Sequence, residues 1–491
     1  MPAPVRQYAV NYFPVNNAGY QMWSSYDGQQ YQSDMELAKS SGFNTIRVIL
    51  AAKSGYFTFS RPMVDELANL TDFYNRSKSV GIRLHLVLFD HWSSYGLIKF
   101  SRAWTAAMLG ALPDRTNIAA IEIQNETRYA SSDIYGNGFD SGWPSGMPQY
   151  TAVGRVAIVW AQQMTMYVRS IAPGAPVTSS CSHGLADLTA YVAAVRNTLA
   201  VPDWYDWHCY AGSSYLAHSA LRAVIDVVGD PAMLNVGETG LTSTPSGTQG
   251  TIQAQQAEAD YIQAVRWSCA QLGLPEPSPW ILFDMNSSAQ FPDGQNFGLF
   301  DTAGNAKLSG KMYQAIPPGW TIPAISLNGE MQGDQPDSNG NALPIRWMLY
   351  RGQTGRQPIT SAIDATTTYR GNPTVLLTGS GRTFGGDNPP ALESRACTWP
   401  VISGGQNYTF SCVLKATGTY GSGVSPSLQI SWYDSSGRYI SSENGRALVL
   451  TNSFTRYSTS GTAPRAAAYA RLFVRVGYNS GMIWVGDAAW S

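Results

Sequence analysis

The sequence predicts an α/β chain: a (β/α)8 TIM barrel over residues 1–320, followed by an all-β jelly-roll sandwich over 321–491. Three observations carry this reading. Up to about residue 315, eight apolar strand-like runs alternate with helix-like segments, the order a barrel of parallel strands requires. No Gly-rich phosphate loop follows the first run, which counts against the rival doubly wound sheet. From about Pro323 helical periodicity disappears, Gly, Ser and Thr rise, and short alternating strands take over.

The barrel elements follow in order. Gln7–Val15 reads as the first strand, and Ser33-Asp34-Met35-Glu36 as a capping box opening a helix through Lys39. Phe43–Leu50 is the second strand. The helix Pro62–Val80 carries Met63, Leu67, Leu70 and Phe73 on one side and stops at Gly81. Ile82–Trp92, Asn117–Glu126 and Pro176–Ser180 are the third to fifth strands, with helices near Ala103–Leu112 and Thr151–Ile171 between them. Trp204–Tyr210, Met233–Gly240 and Trp280–Asn286 complete the eight, interleaved with helices at Leu188–Leu199, Leu216–Val228, Ile252–Leu272 and finally Leu308–Ala315. Pro317–Pro323 is the boundary. Beyond it, Tyr408–Leu414, Ser427–Tyr433, Ala470–Val476 and Gly481–Val485 read as strands.

Composition narrows the function. Charged residues are 13%, against a usual ~25%. With a net charge of −1, neither nucleic acid nor an anionic membrane is an expected partner, and no span suits membrane insertion. Fifteen Trp and 27 Tyr suit uncharged ligands with apolar faces, such as sugars. Five cysteines are too few for a disulfide framework. Cys397 and Cys412 flank a predicted hairpin that would set them opposite each other, either bridged or as packed thiols. The N-terminal residues lack the features of a signal peptide.

Two apolar runs end in glutamate: Glu126 after Asn125, and Glu238 within Gly237-Glu238-Thr239-Gly240. A strand-terminal Asn-Glu by itself is usually a turn or cap. Two such glutamates, several β/α units apart, are what a two-carboxylate glycosidase needs. Strand ends also offer Arg47, His91, Trp92, His208, Tyr210 and Phe283 as substrate-binding candidates. Glu122 and His85 lie deeper in their strands and read as paired core groups.

Set on those strands, Glu122-Ile-Gln-Asn-Glu126, Asp206-Trp-His-Cys-Tyr210, Gly237-Glu-Thr-Gly240 and Arg47 in Thr-Ile-Arg-Val make residues 7–315 resemble a clan A glycoside hydrolase of the cellulase/mannanase (family 5) type. The resemblance implies an endo-acting, retaining enzyme on a β-linked polysaccharide, with no cofactor in catalysis. Glu126 would be acid/base and Glu238 nucleophile. Arg47 and Tyr210 would keep Glu238 ionised, Asn125 would bind a sugar hydroxyl, His208 would orient Glu126, and His91 would bind substrate. The strand-eight tryptophan of that family is not at its expected place, so Phe283 or Trp280 would substitute. The loop Arg128–Tyr150, with Tyr129, Tyr135 and Trp143, would form a cleft wall.

The C-terminal part resembles carbohydrate-binding sandwiches of the family 4/9 type through Leu327-Asn-Gly-Glu330, Gly405-Gln-Asn-Tyr-Thr-Phe410 and Val485-Gly-Asp487. That resemblance implies a structural Ca2+ at Glu330 and Asp487, and sugar-stacking candidates at Trp347, Tyr350, Trp399, Trp432 and Tyr433. A polysaccharide substrate implies an extracellular setting, secreted or virion-associated. The competing expectation is a binding protein on a glycosidase scaffold that turns nothing over.

Overall fold

Parallel strands formed where apolar runs end in polar residues, because strands covered by helices on one side and a packed barrel on the other must be apolar throughout. The computed structural model describes residues 7–491 apart from 20, 51–63, 91, 93–94, 131–149, 183, 212–213, 244–251, 289, 293, 316–317, 319–346, 351–358, 380–390, 395–401, 418–424, 435–438 and 477–480. The chain divides into two units, Met1–Gly212 with Ala220–Thr321, and Ser213–Ser219 with Ile322–Ser491.

In the first unit β1 (Ala9–Asn11), β2 (Thr45–Ile49), β3 (Arg83–Phe89), β4 (Ile118–Gln124) and β5 (Val177–Thr178) form one parallel sheet. A second parallel sheet holds β6 (Ser180–Cys181), β7 (Tyr205–Cys209) and β8 (Leu234–Thr239). β5 and β6 are halves of the fifth predicted strand, and Thr127 N–H donates to the Ser180 carbonyl at 3.1 Å across the seam. The expected eighth strand, Trp280–Asn286, is not regular, yet its backbone closes the barrel. Trp280 N–H donates to Thr239 (2.8 Å), Asn11 N–H to Pro279 (3.1 Å) and Leu282 N–H to Asn11 (3.0 Å). The ladder is interrupted because the Ile281 and Asp284 N–H groups turn instead to the Phe297 and Phe300 carbonyls.

The connecting helices are α1 (Gln21–Ser24), α2 (Gly28–Ser40), α3 (Val64–Val80), α4 (Ile98–Gly110), α5 (Tyr150–Ile171), α6 (Leu185–Val195), α7 (Ser214–Val228), α8 (Ile252–Gln271) and α9 (Leu308–Ala315). One cap differs from expectation. α2 opens at Asp27, whose side chain accepts from Gln30 N–H at 3.1 Å, and Ser33–Glu36 lie inside the helix. The Ser33 hydroxyl donates to the Gln29 carbonyl one turn back, which removes it from capping. Among the described residues no helix is long and apolar enough to cross a membrane.

The second unit holds ten antiparallel strands: β9 (Trp347–Tyr350), β10 (Ile359–Tyr369), β11 (Asn372–Gly379), β12 (Ala391–Ser394), β13 (Asn407–Thr417), β14 (Ser427–Asp434), β15 (Tyr439–Asn444), β16 (Thr455–Thr462), β17 (Ala467–Arg475) and β18 (Met482–Trp490). They make two five-stranded sheets, ordered β10-β11-β18-β13-β16 and β15-β14-β17-β12-β9. Trp347, Ile430, Trp432 and Leu472 from one sheet share a core with Val375, Phe410, Leu414 and Ile483 from the other. Of the six strands not anticipated, β9, β10, β15 and β16 lie at sheet edges; polar residues blunt the hydrophobic alternation of β10, β15 and β16, and β9 is only four residues long. Cys412 is a free, buried thiol, and Cys397 lies outside the described residues.

A buried ion cluster pins α8 to the strand-eight segment. Lys307 Nζ lies 2.9 Å from Glu258 Oε2 and 2.9 Å from Asp284 Oδ1. Burial pushes the Glu258 carboxyl up to about 8, even with Lys307 pulling it down. Removing the ammonium leaves two buried carboxylates, so Lys307→Met should cost about 3–5 kcal/mol in urea unfolding. The loss should be larger at pH 9 than at pH 6, where a proton on Glu258 relieves the cluster; equal losses would contradict this account.

Candidate active site

The C-terminal strand ends converge on Arg47, from the middle of β2 and fully buried. Its Nε and Nη2 donate to Glu122 Oε2 (2.8 Å) and Oε1 (2.9 Å) in a two-point fork. Nη1 donates to Glu238 Oε1 (2.6 Å) and Asn11 Oδ1 (2.7 Å), and Nη2 also to Asn125 Oδ1 (2.7 Å). One guanidinium thus aligns four side chains from β1, β4 and β8 and the residue after β4. Asn11 also donates to the Gly237 and Pro279 carbonyls, so the same residue fixes the barrel seam and the arginine.

Glu238 accepts from Tyr210 Oη at 3.0 Å on its other oxygen. His208 Nδ1 stands 3.0 Å from Glu126 Oε1 and 3.3 Å from Glu238 Oε2, placing one imidazole between the two carboxylates. One polar side-chain atom from each of Glu126, His208 and Glu238 lies within 4.8 Å of the other two. Glu126 has φ +47°, in the left-handed region that costs a β-carbon-bearing residue. Its N–H is held by Ser180 Oγ at 2.8 Å. The Glu238 side chain is 5% exposed and that of Glu126 31%. Beneath them Asp206 accepts from Gly237 N–H (2.8 Å) and Asn235 Nδ2 (2.9 Å), tying β7 to β8. Gly237 is required there, because a Cβ would lie 2.2 Å from Asp206 Oδ1.

The electrostatics follow from burial. It lifts Glu238 above its ordinary 4.5; His208 and Arg47 pull it back and Glu126 pushes it further up. The net direction is upward, with Arg47 limiting the rise. Desolvation lowers His208, but Glu238 and Glu126 outweigh it and bring the imidazole up to about 9. Glu122 is pushed up by burial and brought net below its usual value by Arg47 and His85, whose Nε2 lies 3.1 Å away. Tyr210 is driven well above 10 by burial and by Glu238, which keeps its hydroxyl a donor.

A cavity of about 250 Å3 opens above the pair. Glu126, Glu238, Asn125 and Tyr210 line it, with Phe13, Ile49, Asp90, Trp280, Gln290, Phe291, Gln295 and Phe297. Trp280 lines the cavity: its Nε1 donates to Gln295 Oε1 (3.0 Å), and its ring meets Phe13 edge-on at 5.9 Å. Phe283 is buried against Phe300 instead, because the strand-eight backbone turns it to the opposite side. Trp92 is likewise core, stacked on Phe100 at 5.6 Å, and does not line the cavity. Tyr129 is buried, stacks on Tyr191 at 4.4 Å and does not line this cavity, while Tyr135, Trp143 and His91 lie outside the described residues. Asp90, Gln290, Asn11 and Ser180 were missed. Asp90 alone carried a signal, as a polar residue ending an apolar strand.

In the second unit Trp347 and Trp432 are fully buried core residues, not stacking platforms. Tyr433 is half-buried beside Tyr439, and Trp399 lies outside the described residues. The Asp487 carboxylate is engaged by the Arg456 guanidinium, and Glu330 lies outside the described residues.

Solved structures share the barrel. The exo-β-1,4-mannosidase Op5Man5 from Opitutaceae bacterium strain TAV5 matches at 19% identity and a TM-score of 0.50. The match covers 63% of this chain and 58% of that one. A GH5_18 protein from Streptomyces cattleya in complex with Manβ1-4GlcNAc matches at 14% identity, covering 65% and 83%, with a TM-score of 0.51. A GH5_18 protein from Bifidobacterium longum subsp. infantis gives 16%, 63% and 78%, and 0.50. At these identities the likeness establishes an α/β barrel fold shared with glycoside hydrolases. No family model matches the sequence, and a search of curated proteins found no match.

Two outcomes follow from the network. Arg47→Met strands the buried Glu122 and Glu238 carboxylates and should cost about 3–5 kcal/mol, read by chemical denaturation. His208, raised from 6.5 to about 9 by folding, contributes stability that is complete below about pH 6.5 and is lost as pH rises through 9. The unfolding free energy should therefore fall over that range in the wild type and less steeply in His208→Asn; parallel slopes would refute a charged His208.

Proposed function

We propose that the protein is a retaining β-glycoside hydrolase with Glu238 as nucleophile and Glu126 as acid/base. The observation that carries this reading is the closeness of the two glutamates: one carboxylate oxygen of each lies within 4.8 Å of the other, and His208 Nδ1 stands 3.0 Å from Glu126 Oε1 and 3.3 Å from Glu238 Oε2. Retaining enzymes hold the carboxyl groups about 5–5.5 Å apart, whereas inverting ones leave ~6.5–9.5 Å for a water. The roles follow from environment. Glu238 is buried and fixed by Arg47 and Tyr210, which suits a nucleophile that must reach the anomeric carbon in one geometry. Glu126 is partly exposed, where a leaving group and then water can approach.

In the first step Glu238 Oε bonds to the anomeric carbon as the glycosidic C–O bond breaks, and Glu126 gives its proton to the departing oxygen. In the second step water attacks the same carbon, Glu126 takes its proton, and Glu238 leaves. His208, between the carboxylates, offsets their mutual repulsion and orients Glu126. Trp280 offers its face to the sugar. The names of the structural neighbours make β-mannosides the first substrates to try, and a glycan substrate sets the enzyme outside the cell. The second unit, in this reading, is a carbohydrate-binding jelly-roll sandwich attached to the catalytic barrel.

The test is turnover of a panel of aryl β-glycosides and β-linked oligosaccharides. Glu126→Ala and Glu238→Ala should each lower kcat/KM by about 10²–10⁴-fold or more. Azide should rescue them to glycosyl azides of opposite anomeric configuration, β for Glu126→Ala and α for Glu238→Ala. The acid limb of the wild-type profile should lie above pH 4.5, since burial raises Glu238. Activity surviving in Glu238→Ala would sink the assignment. Tight binding without turnover would favour a carbohydrate-binding protein on this scaffold.

A further inference from the structure

The segment that follows strand eight is stitched across one side of the site. Asn286 N–H donates to the Val15 carbonyl (2.9 Å) and Asn286 Nδ2 to Asn16 Oδ1 (2.8 Å), joining it to the loop after β1. Farther along, Gln290 Nε2 reaches Asp90 Oδ2 at 3.4 Å, at the end of β3. The Gln290 side chain lies so close to Gly19 that a Cβ there would sit 2.1 Å from its Oε1, and Gly19 has φ +79°. Phe291 packs on Phe13 at 5.8 Å. Asp90 in turn accepts from Asn125 Nδ2 at 3.1 Å, so this wall is continuous with the catalytic network.

We propose that this wall makes the site single-ended: the protein removes one terminal sugar at a time from the non-reducing end of a glycan and does not cleave internally. The proposal rests on the hydrolase reading for the direction of the chain. Glu126 must protonate the bond to the leaving group, so the rest of the glycan extends past the partly exposed Glu126 carboxylate just beyond β4. The sugar being transferred then lies between Glu238 and the wall formed by Phe13, Asp90, Gln290 and Phe291. An internal cleavage needs a further sugar beyond that ring, where these side chains stand. Asp90, held at one oxygen by Asn125 and at the other by Gln290, is placed to accept hydroxyl hydrogens from the terminal ring. This replaces the endo mode expected from the sequence.

The experiment uses the full chain and β-1,4-linked manno- and gluco-hexaoses labelled at the reducing end, each with and without an O-methyl cap on the terminal 4-hydroxyl. The expected result is release of monosaccharide with a ladder shortened one unit at a time, and a loss of at least about 100-fold in kcat/KM on capping. Gln290→Gly and Phe291→Ala should recover part of the activity on capped chains. Internal fragments at early times, or equal rates on capped and free chains, would overturn the proposal. Affinity of Glu126→Gln for the same four ligands, by calorimetry, separates the two readings. Cap-sensitive binding without wild-type turnover would remove the hydrolase and leave the single-ended pocket. Cap-tolerant binding, or no binding by any of the four, would remove the pocket proposal.

Discussion

The Arg47 guanidinium is the constraint on which the site depends. Burying a charge without partners costs more than a domain can spare, so this arginine is tolerable only with its donors engaged. Glu122 takes two of them in a fork, and Glu238, Asn125 and Asn11 take the rest. Satisfying the arginine therefore fixes the carboxylate of Glu238 and the amide of Asn125 in position. The geometry needed for the proposed reaction and the geometry needed to bury a cation are the same geometry.

That coupling explains why the site and the barrel seam share residues. Asn11 holds Arg47 and also the Gly237 and Pro279 carbonyls. Asp206 fixes the backbone on which Glu238 sits, and Gly237 exists to let that carboxylate approach. Glu126 is the exception, held in a left-handed backbone conformation by Ser180 and His208. Strain at a functional residue persists only where its surroundings over-determine it, and here a neighbouring strand supplies the restraint. The buried glutamate gains rigidity and the strained one gains exposure, a division that fits the proposed roles of nucleophile and acid/base.

The second unit follows a different logic. Its two sheets bury Trp347 and Trp432 in a shared core, so aromatic richness there reflects packing as well as any ligand surface. In the barrel, by contrast, Trp280 is held at its Nε1 by Gln295 with its ring on the cavity. A tryptophan's meaning is set by what covers it.

The sequence by itself determined the eightfold alternation and the identity of the central residues, because periodicity and strand-end chemistry are local. Glu126, Glu238, Arg47, Asn125, His208 and Tyr210 were all legible this way, as was the pairing of the deeper Glu122 and His85. The edge strands β10, β15 and β16 of the second unit were not legible, since polar residues dilute their apolar alternation, and β9 was too short at four residues. The side on which a strand-eight aromatic falls was decided by tertiary structure: Ile281 and Asp284 pair with Phe297 and Phe300, turning Trp280 toward the cavity and Phe283 away. Only the folded chain brings Gln290 to Asp90, 200 residues apart in sequence. No local pattern encodes a wall assembled from three loops, because each residue in it looks like ordinary surface until the others arrive.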